Sequence, residues 1–242
     1  MKDNIRIFKN ADESAVAVAE LIKNEAITKK QAGKKLNIAI SGGSTPKQLF
    51  TLLGDEYETS IPWDAVRFFW VDERCVEPTD ADSNFGMTYD ALLQRAFIPG
   101  ENIFRMKGED VPENEAERYQ KLLWSELPAR DGFPVLDLVL LGMGADGHTA
   151  SIFPDNLSLL DSEFSVSVAI QPITGQKRIT LTGNTICNAE KIVFLITGEN
   201  KADVLKKIIN NEDGSDAYPT RHIVSRSSHV KLYLDKAAAV KL

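Results

Sequence analysis

The chain has 242 residues, with 28 Lys and Arg against 35 Asp and Glu and a formal charge of -7. Apolar residues make up 43% and charged residues 26%, the profile of an ordinary globular protein with enough chain to bury a sizeable core. No apolar run nears the roughly 18 residues that span a bilayer, and Cys75 and Cys187 are too few for a disulfide framework.

The chain begins MKDNIRIFKN, which lacks the apolar stretch of a signal peptide. A cytoplasmic location is therefore expected. The ending Ala239-Val240-Lys241-Leu242 has Val where a Ser-Lys-Leu address needs Ser, and is discounted. A pI of about 5.1 argues against a nucleic-acid partner, so attraction for an anion must come from a local pocket.

In chain order, Ile5 to Phe8 reads as a short strand, Ala11 to Lys30 as an amphipathic helix, and Leu36 to Ile40 as a compact buried strand. A short helix is expected over Pro46 to Leu53, and VRFFWV (66–71) is apolar almost throughout, as strands covered on both faces are. Asn84 to Ala96 and Pro112 to Leu127 look helical, with Pro112 suited to a first turn. Strands follow at Leu136 to Leu141, Ser165 to Ile170, Arg178 to Thr182 and Ile192 to Thr197. Ala202 to Asn210 is a helix and Val230 to Leu234 a last strand. No repeat and no linker interrupts the series, so a single α/β domain over 1–242 is expected. It is Rossmann-like, with a mainly parallel sheet and helices on both faces. No exposed apolar heptad is evident, and a monomer is expected. Ligands in such folds sit beyond the carboxyl ends of the strands, which directs attention to the loops after Ile40, Val71, Leu141 and Thr197.

The first loop, Ser41-Gly42-Gly43-Ser44-Thr45-Pro46, joins two glycines and two hydroxyls to a helix N-terminus, which suits a phosphate. It is not a Walker loop, and it equally fits a plain helix cap with Ser44 or Thr45 as the capping residue. In the second, Asp72-Glu73-Arg74, a carboxylate could accept from a sugar hydroxyl and Arg74 could pair with an oxyanion. Structural tethering of the loop competes with that reading for at least one of the three.

The third loop, LGMGADGHTASIFP (141–154), contains a literal GxGxxG at Gly142, Gly144 and Gly147. Pro154 follows too soon for a crossover helix and Asp146 stands where a pyrophosphate would lie, so a dinucleotide is disfavoured. His148 on such a turn can serve as general base, with Asp146 two residues away to orient it. The other histidines, His222 and His229, lie in a polar stretch and read as surface residues. No Cys or His spacing suits zinc and no GxSxG elbow is present, so neither a metal centre nor a serine hydrolase is supported. The last loop places Lys201 near another helix start, and Lys177-Arg178 open a strand that could add further positive charge.

Taken together, SGGSTPKQLF (41–50), VDER with DSNFGM (71–74 and 82–87) and LGMGADGHTASIFP (141–154) resemble the 6-phosphogluconolactonase family over nearly the whole chain, and TGENKA (197–202) continues the likeness. The resemblance implies hydrolysis of 6-phospho-D-glucono-1,5-lactone, the second step of the oxidative pentose phosphate pathway, with no metal or organic cofactor. In the related glucosamine-6-phosphate deaminases a glutamate stands five residues after the turn histidine; Phe153 stands there here, which favours the lactonase. The expected site then has His148 activating water and Asp146 positioning its ring. Gly42, Gly43, Ser44, Thr45, Asp72, Arg74, Arg178 and Lys201 are expected to bind the substrate. A sugar-phosphate sensor without chemistry is the rival reading, opposed by the intact Asp146 and His148 and by the lack of a helix-turn-helix before residue 41.

Overall fold

The computed structural model describes residues 4–242, built around seven parallel strands. These are β1 (Ile5–Phe8), β2 (Leu36–Ile40), β3 (Val66–Trp70), β5 (Ile103–Phe104), β8 (Leu138–Leu141), β11 (Ile192–Ile196) and β12 (Val230–Asp235), in the order β1-β12-β11-β8-β2-β3-β5. Every residue of β8 and β11 is buried, and successive side chains point to opposite faces, so both faces of the sheet centre are covered. Helix α1 (Ala11–Gln31) buries Ala15, Val18, Ala19, Ile22 and Ala26 at helical spacing. It is capped by Asn10, whose side chain accepts from Glu13 N–H at 2.9 Å. Among the described residues no helix is long and apolar enough to cross a membrane.

The topology decides where a ligand sits. From β2 the chain moves outward to β3 and β5, then returns to β8 on the other side of β2 and moves outward to β11 and β12. The loops after β2 and β8 therefore leave the sheet in opposite directions, and the crevice between them is the topological switch point. Helix α2 (Ser44–Glu56) starts two residues earlier than expected; Pro46 lies inside its first turn, and neither Ser44 nor Thr45 is the cap. The cap position belongs to Gly43 at φ 103°, a backbone region that favours glycine, and no side chain caps the helix. The first-turn N–H groups thus stay open toward the crevice.

Two further expectations are corrected. The helix over Asn84 to Ala96 is only α3 (Asn84–Thr88), followed by a π-helical turn Tyr89–Leu93, because apolar periodicity does not register a one-residue widening of the turn. The strands β9 (Val166–Ile170) and β10 (Lys177–Leu181) do not join the parallel sheet. With β4 (Asp72–Arg74) they form a separate antiparallel sheet, order β4-β10-β9, and β6 (Ala129–Arg130) pairs with β7 (Phe133–Pro134) as a third, two-stranded one. Helix α4 (Pro112–Glu126) packs against β9 and β10.

Candidate active site

The carboxyl ends of β2, β8 and β11, with β4 and β10, enclose a cavity of about 320 Å³. Its walls include Gly42, Gly43, Ser44, Thr45, Asp72, Arg74, His148, Arg178 and Lys201, nine of the ten residues expected from sequence. The tenth, Asp146, is reached through His148: the ring Nδ1–H donates to Asp146 Oδ1 at 2.6 Å, and the His148 backbone N–H donates to the same oxygen at 3.2 Å. The bond through Nδ1 leaves Nε2 as the ring atom available to a ligand. The glycines explain this turn. A Cβ on Gly144 would stand 2.1 Å from His148 Nδ1 and 2.4 Å from Asp146 Oδ1, so only glycine leaves room for the pair. Burial works to raise the Asp146 pKa, but the hydrogen bond and positive charge of His148 prevail and hold the carboxyl below its ordinary range.

Strand alternation sorts the charged residues. In β4, Asp72 and Arg74 face the cavity while Glu73 turns the other way and accepts from the N–H groups of Arg74, Asn84 and Phe85, at 2.7, 2.8 and 2.8 Å. Glu73 is 2% exposed, and burial pushes its pKa up against those donors. It is the tether that the sequence allowed for, made with backbone amides and not as an ion pair. In β10, Arg178 faces the cavity while Lys177 points away and pairs with Glu113 at 2.8 Å, so Lys177 adds no charge to the site.

Register sets Arg178 directly opposite Arg74 across the two strands. Like charges so placed repel, and burial followed by the Arg74 charge lowers the Arg178 pKa. The Nε atoms of both arginines are buried without a protein partner, as is Ser41 Oγ in the same cavity wall. Buried donors are normally paired, and three such atoms around one cavity leave it spare donors suited to an anion. Lys201 adds a third positive group whose pKa is lowered by burial, with the Asp146 charge opposing.

Sequence reasoning missed the residues that hold Asp72. The carboxylate is 4% exposed; it accepts from Ser151 Oγ at 2.6 Å and from the Asn84 side-chain amide at 3.3 Å. Ser151 is in turn tied by its N–H to Thr180 Oγ1 at 3.2 Å. Only the proximity of Ser151 to the glycine-rich turn could have flagged it. Ser151→Ala should leave the fold intact and raise KM about 10–100-fold, since hydrogen bonds to a charged group are worth ~1.5–3 kcal/mol. Steady-state kinetics beside a melting curve will check this. After the turn comes a 3-10 segment, Pro154–Leu160, and no crossover helix, in keeping with the argument against a dinucleotide. His222 and His229 lie away from the cavity walls; His222 Nε2 contacts the Asp216 carbonyl at 2.7 Å.

Comparison with known proteins gives the same neighbourhood. Residues 9–233 match the family model described as glucosamine-6-phosphate isomerases/6-phosphogluconolactonase. A 6-phosphogluconolactonase of Treponema pallidum is 42% identical over 207 residues, 86% of each chain. A solved structure named devB protein is 38% identical with a TM-score of 0.93 over 99% of both chains. The 6-phosphogluconolactonase of Trypanosoma brucei is 31% identical with a TM-score of 0.86, over 99% of this chain and 98% of that one. The chain belongs to the glucosamine-6-phosphate isomerase/6-phosphogluconolactonase family.

Proposed function

We propose that this protein hydrolyses 6-phospho-D-glucono-1,5-lactone to 6-phospho-D-gluconate. The observation that carries the reading is one cavity whose wall combines His148, hydrogen-bonded to Asp146, with Arg74 and Arg178 from directly opposite positions of two strands. A phosphate between the arginines accepts from both, with Lys201, the Gly42–Gly43 backbone and the N–H and hydroxyl groups of Ser44 and Thr45 completing its shell. Asp72 accepts from a sugar hydroxyl. This binding brings the lactone carbonyl to His148.

His148 Nε2 takes a proton from water as its oxygen bonds to the carbonyl carbon, while Asp146 holds the ring and offsets the charge that forms on it. The tetrahedral intermediate then collapses, the bond to the ring oxygen breaks, and the proton on Nε2 passes to that oxygen. The product is the open-chain acid. No metal or organic cofactor has a step in this scheme.

The test is the rate of loss of freshly generated lactone at neutral pH with a chelator present, after subtraction of spontaneous hydrolysis. Acceleration supports the proposal. Binding of sugar phosphates by folded protein without acceleration would promote the sensor reading, and ammonia release from glucosamine 6-phosphate would replace the lactonase by the deaminase. The pH profile gives a second check. Asp146, held below the ordinary aspartate value of 3.8 by its hydrogen bond to His148, stays ionised above that pH. Log kcat/KM should therefore show no step from this carboxyl above pH 4, and a step there that is absent from Asp146→Asn would contradict the assigned pair.

A further inference from the structure

Phe153 is 1% exposed, yet among the described residues it stands outside the main hydrophobic cluster of the molecule. Two of the side chains that line the cavity, His148 and Arg178, lie against its ring. It lies 4.9 Å from the His148 ring at an interplanar angle of 43°, and the Arg178 guanidinium sits over it at 5.6 Å. A tight turn puts it there. Thr149 and Ile152 exchange backbone hydrogen bonds of 3.3 and 2.9 Å, which folds residue 153 back onto residue 148.

We propose that Phe153 is a positioning residue that couples the arginine holding the phosphate to the histidine acting as base, and so sets the spacing between the two ends of the substrate. The inference rests on the lactonase reading and deepens it. In the 1,5-lactone the carbonyl carbon and C5, which carries the CH2–O–phosphate arm, lie on opposite sides of the ring oxygen, so the ring confines the phosphate to a narrow range of distances from the carbonyl. A site for it gains from an equally fixed distance between anion holder and base, and misplacement by an ångström is costly in rate. Asp146 fixes the imidazole only in its own plane, through Nδ1, and leaves tilt about that bond to whatever packs on the face. Arg178, opposed by Arg74 across the strands, is held down by an aromatic face that attracts a cation without neutralising it. An aliphatic residue of the same volume would fill the space and do neither.

The test compares wild type, Phe153→Met, Arg178→Met and the double variant by kcat, KM, inhibition by inorganic phosphate, and melting temperature. Phe153→Met should raise KM and the phosphate inhibition constant together, by about 3–10-fold if a desolvated cation–π contact is lost, and lower kcat about 10-fold through misplacement of the base. In the Arg178→Met background the effect on KM should vanish while the loss in kcat remains. A lower melting temperature with KM, kcat and phosphate inhibition unchanged would overturn the proposal and make Phe153 a plain core residue. A loss in kcat alone would also overturn it, because no coupling to the arginine would exist. Phe153→Leu serves as the second variant should Met fail to fold. If wild type itself leaves the lactone untouched, the lactonase reading fails instead, and phosphate binding by calorimetry still reads the contact between Phe153 and Arg178.

Discussion

His148→Ala should lower kcat about 10²–10⁴-fold, the range that a positioned general base contributes, with KM changed little. The split follows from the proposed division of roles: the anion is held by Arg74, Arg178, Lys201 and residues 42–45 of the same cavity, so removing the imidazole leaves those contacts in place. The half-buried ring has one hydrogen-bond partner, and the loop around it is held by backbone bonds that Ala retains, Gly144 N–H to His148 O at 2.8 Å and Thr220 N–H to Gly147 O at 3.1 Å. The variant should therefore melt near wild type. Asp146→Asn is expected to fall short of the full loss, since an amide can still bond Nδ1 but favours the wrong ring tautomer and no longer offsets the imidazolium charge. A measured kcat for His148→Ala within about 3-fold of wild type would remove this histidine from the chemistry and return the base to an unassigned group.

The strands at the sheet centre were legible because both their faces are largely buried: Ile192–Ile196 is an unbroken apolar run, and Leu36–Ile40 and Val66–Trp70 are interrupted only by Asn37 and Arg67. The loops after them were legible as chemistry because parallel topology gathers their ends at one edge. What stayed hidden depends on register between distant segments. Nothing local to Lys177-Arg178 says that β10 pairs with β4, and without that pairing the opposition of Arg178 to Arg74 is invisible. The same pairing decides which of two adjacent cations enters the site, because strand alternation turns Arg178 inward and Lys177 toward Glu113. Ser151 and Asn84 escaped for a related reason. Their role is to hold Asp72, and a partner's partner carries no sequence signal of its own.

Arg178→Met should raise KM about 10–100-fold, from a charge-assisted contact worth ~1.5–3 kcal/mol, while leaving the free protein as stable as wild type or more so. The two effects have one source. Facing guanidinium groups across an antiparallel pair repel, and Arg178 keeps its charge against both burial and its neighbour, as its lowered pKa records. A group whose charged form is disfavoured by the fold costs stability wherever it remains charged, which for arginine is the whole working range of pH. Methionine keeps the apolar length that packs in the wall and discards the charge. A dianion between the arginines reverses the balance, because it is attracted to both and joins what they would otherwise push apart. Inorganic phosphate should accordingly raise the melting temperature of wild type and do so much less for Arg178→Met. A large fall in melting temperature with KM unchanged would make Arg178 a structural residue and leave the anion to Arg74 and Lys201. A higher melting temperature with phosphate stabilisation lost would establish that the protein holds two half-buried charges in opposition for the sake of the substrate.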